Sequence, residues 1–157
     1  MFGFLKKPKA AEKVVVRRTI EPSPSYNIPI ALLGIAALSA YEGNAVAAGL
    51  MGILGVFLAI QASRVRFRFE DDALEVLIGE SNEKTENKFV GGENRWKYDT
   101  FVNWEFWWPA FPVLVYFKEM QTKPEGQIHF FPIIFNGKQL YDVMSERCGT
   151  SQNSGKR

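Results

Sequence analysis

The sequence predicts a membrane α-helical hairpin joined to an α+β domain of antiparallel strands closed by one C-terminal helix. Three observations carry this. Residues 28–62 contain no Lys, Arg, Asp or His and one acidic group, Glu42, which divides two apolar runs of helical length. From Arg64 the apolar period drops to two, the period of a strand with one buried face. After Asn136-Gly137 it becomes helical again, with Leu140, Tyr141, Val143, Met144 and Cys148 along one side.

Residues 1–25 read as a basic arm. The first eighteen positions hold Lys6, Lys7, Lys9, Lys13, Arg17 and Arg18 against Glu12 alone. Such an arm ahead of an apolar segment is drawn to anionic lipid and biases orientation. Phe2, Phe4 and Leu5 beside Lys6 and Lys7 suit a short interfacial anchor, and a solvated basic tail fits the same composition. Pro8, Pro22 and Pro24 interrupt any continuous helix. No basic stripe continues into the folded part, which argues against a nucleic-acid partner.

Residues 26–63 read as the hairpin. The first span runs from Tyr26 to Ala40 with Pro29 in its first turn, and the second from Ala45 to Ala62. Eighteen residues rise about 27 Å, close to the hydrocarbon thickness of a bilayer, while the first span is shorter. Ala45-Val46-Ala47 has the pattern of a signal-cleavage site, but the chain stays apolar well past it, and a second span accounts for that. Gly49, Gly52 and Gly55 recur every three residues and are expected to let the two helices approach closely. Arg17 and Arg18 precede the hairpin, Arg64, Arg66 and Arg68 follow it, and the turn has no basic residue. Both ends are therefore expected on the cytoplasmic or stromal side, with these arginines at the headgroups.

Residues 64–149 read as the folded domain. Arg64 to Glu70 alternates charge with apolar, Asp71-Asp72 suits a turn, and Ala73 to Ile78 continues as a second strand. Ser81 to Lys88 is polar, an exposed strand or loop. Arg95–Tyr98, Val102–Trp107, Val113–Lys118 and Ile128–Phe135 bring the number of strands to six or seven, with Pro109 and Pro112 breaking the pairing. Gly149 ends the last helix, and residues 150–157 have the composition of a disordered tail.

This order of strands and then a helix resembles the pleckstrin-homology-like barrel, in which the last helix plugs an open end. Arg66 to Val76 resembles the opening hairpin of bacterial domains of that kind, which are often preceded by two membrane helices. Arg17 to Tyr26, Asn94 to Tyr98 and Phe101 to Trp104 resemble a family of cyanobacterial and plastid membrane proteins with no assigned role, over roughly residues 15–149. That resemblance implies a thylakoid location and a stromal or cytoplasmic domain. In architecture alone the layout is also similar to a photosystem I assembly factor with two helices and a stromal domain.

No catalytic, metal or cofactor constellation emerges. His129, the one histidine, alternates with Ile128 and Phe130 and is expected at a surface or edge. Metal binding would need partners at ligand spacing. Cys148, the one cysteine, belongs to the buried side of the last helix, and nothing in its position lowers its pKa. Glu70, Asp71, Asp72 and Glu75 are explained first by turn chemistry, and Gly91-Gly92 lacks the context of a phosphate loop.

The sharper feature is aromatic. Phe101, Trp104, Phe106, Trp107, Trp108, Phe111, Tyr116 and Phe117 crowd into seventeen residues. Alternation places Val102, Trp104 and Phe106 on one face, expected to fill the core, and Asn103, Glu105 and Trp107 on the other. Trp104, Trp107, Trp108, Pro109 and Phe111 are the candidates for a partner or membrane interface, against the alternative of a packed core corner. The expected function is a non-enzymatic, membrane-anchored interaction domain assisting assembly of a photosynthetic membrane complex, photosystem I for preference. Its expected partners are membrane lipids and photosystem subunits or assembly factors. A lipid- or pigment-binding module and a structural accessory subunit are the alternatives.

Overall fold

A computed structural model describes residues 17–79, 94–108 and 110–149. Two apolar helices come first. Helix α1 (Asn27–Tyr41) begins two residues before its proline, Pro29, and α2 (Ala45–Arg64) is capped by Asn44, whose side chain accepts from the Ala47 N–H at 3.1 Å. Gly43, at φ 79°, makes the tight connection between them. Among the described residues, α2 alone is long and apolar enough to cross a membrane; α1, with 15 residues, is shorter.

The two helices pack through small residues. Ala48, Gly52, Gly55, Ala59 and Ala62 recur on α2 in alternating steps of four and three, and all are buried or half-buried. A methyl group added at Gly55 would lie 3.1 Å from Leu33, and one at Gly52 would lie 3.8 Å from the Ala36 Cβ. Gly49 faces open space, so the three-residue glycine spacing is not the packing seam. The seam is heptad-like and includes alanines. The outer faces expose Ile30, Leu38, Leu50, Ile53 and Phe57.

Helix α2 passes directly into strand β1 (Val65–Phe69), and Ala62 in its last turn belongs to the core of the following domain. The Gly79 N–H donates to the Arg64 carbonyl at 2.8 Å, so the sheet ladder receives the helix's last acceptor. Strands β1, β2 (Ala73–Ile78) and β3 (Arg95–Lys97) form one antiparallel sheet, and β4 (Phe101–Trp107), β5 (Leu114–Glu119) and β6 (Gln127–Pro132) form another. Helix α3 (Gly137–Arg147) follows, with Asn136 as its N-cap and Leu140, Val143 and Met144 buried.

The expected closed barrel is not observed. One 3-10 turn, Tyr98–Thr100, separates β3 from β4, and the register slips between Phe101 and Asn103. The ladder therefore breaks at that corner, and the sheets face each other across shared side chains instead. Trp96 meets Phe117 edge-on at 5.4 Å, and Phe67 meets Phe131 at 5.1 Å. The same slip corrects the expected facing of β4: Val102 is exposed, while Phe101 stacks on Phe117 at 5.0 Å.

The opposite open side is bridged by the chain ahead of the hairpin. Ile20 pairs with Phe69 at the end of β1, and Pro24 pairs with Phe135 beyond β6. Residues 17–25 thus form a strap joining both sheets, and this part of the expected arm belongs to the domain. Arg147, buried on α3, donates to the carbonyls of Phe69 (2.8 Å), Glu70 (3.0 Å) and Arg18. The Ser23 N–H donates to Gln139 at 2.8 Å, and the Ser25 N–H to the Ile134 carbonyl at 2.8 Å.

A bulky residue at Gly55 would collide with α1, so Gly55→Leu is expected to cost about 1–3 kcal/mol. Gly49→Leu is expected to stay within about 0.5 kcal/mol of the parent. Thermal unfolding in detergent measures both.

Candidate functional site

The turn between β4 and β5 sets the site. The Phe111 N–H donates to the Trp108 carbonyl at 3.0 Å, and the Val113 N–H to the Trp107 carbonyl at 3.3 Å. Trp108 takes φ 62° and is 69 % exposed. It is the one non-glycine residue in the left-handed region among the described residues. A bulky side chain costs about 1–2 kcal/mol in that conformation, and such strain persists where the surrounding structure over-determines it.

The five expected interface residues separate. Trp104 is fully buried, and its indole N–H donates to the Gly149 carbonyl at 2.8 Å. It fills the core between β4 and α3, which removes it from any surface. Trp107, Trp108 and Phe111 are exposed, and Pro109 lies outside the described residues. Trp108 and Phe111 border a groove of about 820 Å³ between the turn, the first residues of α1 and the start of α3. Ile28, Phe106, Ile133 and Phe135 contribute apolar surface to it. The groove therefore sits at the base of the hairpin.

Trp107 points instead to the outer face of the second sheet. Register places it across from Leu114 and Pro132, with Glu105, Tyr116 and Phe130 as the next row. Phe130 packs against both Trp107 and Tyr116 at 5.4 Å and is 48 % exposed. The sequence reading missed Phe130 because it assigned that side of β6 to the interior. The aromatic ledge thus runs from the hairpin base outward along the sheet.

Three of the five arginines expected at headgroups, Arg17, Arg66 and Arg68, are engaged in the fold. Arg68 pairs with Glu21 at 2.9 Å and Arg66 at 3.3 Å, and Arg66 also donates to the Gly79 carbonyl at 3.1 Å. Arg17 lies over the Tyr98 ring at 5.2 Å and donates its backbone N–H to Asp71 at 2.6 Å. Arg18 and Arg64 remain exposed side chains flanking the hairpin.

Residues 20–149 match the family described as protein of unknown function (DUF3119). The chain belongs to that family. No curated protein and no solved structure matches it. The matched range begins in the strap and ends just past α3, so strap, hairpin, sheets and helix are one DUF3119 unit.

Inside the DUF3119 domain, His129 corrects an expectation. The alternation of β6 holds, but its faces are reversed: Ile128 and Phe130 are exposed and His129 is buried. His129 packs against Phe117 at 4.9 Å and Trp96 at 4.5 Å, and its Nε2 lies 3.0 Å from Glu119 Oε1. Glu119, fully buried, also accepts from the Gln121 N–H (2.5 Å), the Thr122 N–H (2.9 Å) and the Thr122 hydroxyl. Burial pushes the carboxyl up, but these donors outweigh it and hold its pKa below the ordinary value. Burial pushes His129 down by more than Glu119 raises it, so the neutral ring donates from Nε2. This network ties the β5–β6 turn together.

Arg95, Glu75 and Cys148 are likewise drawn into the fold. Arg95 reaches Asp72 at 3.0 Å and Glu70 at 3.4 Å. Burial, with the neighbouring Glu70 carboxylate, pushes Glu75 up. Burial pushes the Cys148 thiol up to about 12, which leaves it a poor nucleophile. Among the described residues, no three His, Cys, Asp or Glu side chains are grouped to hold a metal ion.

The pH dependence follows in sign. His129 holds its proton less readily when folded, so its stability contribution is complete above 6.5 and is lost as pH falls below it. The depressed Glu119 adds a second loss below its ordinary 4.5. Unfolding free energy in detergent is expected to decline from pH 7.5 to 5.5 in the parent, and His129→Gln is expected to flatten that interval.

Proposed function

We propose that this chain is a membrane-anchored, non-enzymatic interaction protein that captures an apolar segment of a partner membrane protein at the bilayer surface. The observation that carries the reading is Trp108, held in a strained left-handed turn and exposed at the base of an apolar hairpin. Folding alone does not favour that arrangement; contact with another molecule would. Trp107 and Phe130 extend the surface away from the hairpin, and aromatic side chains supply large contact area with few rotatable bonds. The exposed aliphatic faces of α1 and α2 support insertion of the hairpin as the anchor. Tethering the ledge beside the membrane would raise the effective concentration of any segment leaving the bilayer there.

The partner class is drawn from the resemblance to cyanobacterial and plastid membrane proteins. On that basis the captured segment belongs to a photosynthetic membrane complex during assembly, photosystem I for preference, with the domain on the stromal or cytoplasmic side of the thylakoid. Arg66 and Arg68 are partly neutralised by Glu21, which weighs against a purely electrostatic lipid-headgroup role.

The test separates stability from capture. Trp108→Gly relieves the left-handed strain and is expected to raise unfolding free energy by about 1 kcal/mol. The paired variant Trp107→Ala with Phe130→Ala is expected to leave the fold intact. Both are expected to lower recovery of photosystem subunits with the tagged protein from solubilised thylakoids at least tenfold. Undiminished recovery by both variants contradicts the reading.

A further inference from the structure

We infer that the groove at the hairpin base is a binding site for one anionic membrane lipid, whose acyl chain lies along the apolar floor and whose headgroup meets the rim. This rests on the proposed insertion of the hairpin and goes beyond capture of a partner on the aromatic ledge.

Position identifies the class of ligand. One wall is the first turn of α1 at Ile28, and Ile30, two residues on, is already among the exposed apolar positions of the hairpin. An inserted hairpin therefore opens the groove at headgroup depth, where lipid is the abundant apolar molecule. Phe106, Ile133 and Phe135, all buried, line the groove and can take a hydrocarbon chain. Its volume of about 820 Å³ lies within the roughly 300–1,000 Å³ of small-molecule sites.

Charge identifies the headgroup. Among the described residues no acidic side chain lines the groove, and Lys138 is the one charged side chain that does. The Lys138 amine also pairs with Asp142 at 2.6 Å, but both groups are mostly exposed, and a solvated pair of this kind is weak. Lys138 sits in the first turn of α3, so the positive end of that helix dipole reinforces it. A negative headgroup is favoured there over a zwitterionic one.

The test is native mass spectrometry of the full chain in mild detergent, with phosphatidylglycerol and phosphatidylcholine added separately. The parent is expected to retain one phosphatidylglycerol in preference to phosphatidylcholine. Ala110→Trp places an indole at the groove from an exposed turn position and is expected to reduce the adduct at least tenfold. Lys138→Glu is expected to cut the preference for phosphatidylglycerol about fivefold. Near-ultraviolet circular dichroism confirms that each variant is folded, and the Trp107→Ala, Phe130→Ala pair is expected to keep the lipid. A parent without an adduct, or an Ala110→Trp variant that keeps it, overturns the site. Equal retention of the two lipids overturns the anionic assignment.

Discussion

The structure depends on the clamp that Arg147 makes across three separate stretches of chain. Its guanidinium holds carbonyls of Phe69 and Glu70 at the end of β1 and of Arg18 in the strap, from a helix that closes the domain. The Phe69 carbonyl also accepts from the Ile20 N–H at 2.9 Å and the Glu70 carbonyl from the Tyr98 hydroxyl at 2.5 Å, so the cation joins acceptors that already tie strap, sheet and β3–β4 turn together. With Ile20 paired to Phe69 and Pro24 to Phe135, the strap does the work a closing strand pair would do in a barrel.

The clamp has a mechanical consequence. The hairpin is held at both of its ends, by the strap before Asn27 and by the uninterrupted passage from Arg64 into Val65. A single flexible linker would let the domain swing; two short, hydrogen-bonded connections do not. The β4–β5 turn, the groove and the ledge therefore keep a fixed place relative to the helices. In a membrane this would hold Trp108 at the surface, and a residue strained in a left-handed turn suits a site that is preorganised for contact.

Much of this was legible in the sequence, and the exceptions have identifiable causes. Both helices of the hairpin, the β1–β2 turn at Asp71-Asp72 and the buried side of α3 follow from period and turn chemistry, which are local. The open barrel does not, because the sheets part at the 3-10 turn Tyr98–Thr100 between β3 and β4, which alternation does not mark. A slip of one residue between Phe101 and Asn103 in the β4–β5 pairing turned Val102 outward. His129 was misplaced because alternation fixes which residues share a face but not which face is inside, and a histidine satisfied by a buried glutamate ten residues away reads as surface. Alternation set Trp104 on the core side of β4, apart from Trp107, but composition still grouped it with the exposed aromatics; its partner, the Gly149 carbonyl, lies far along the chain. Arg147 sits in the last turn of α3, where nothing local marks it, and only tertiary structure shows the carbonyls it serves.

The central claim is that strap and helix–strand continuity hold the aromatic turn at the depth where an inserted hairpin leaves the bilayer. Single nitroxide labels at positions 53, 111 and 122 of the full chain in liposomes test it, using accessibility to oxygen and to a water-soluble nickel chelate. Cys148 is half-buried with its thiol pKa pushed up to about 12, so it labels poorly. The account predicts position 53 in the hydrocarbon, 111 at the headgroups and 122 in water. Position 53 as accessible to nickel as position 122, or position 111 indistinguishable from 122, would contradict it.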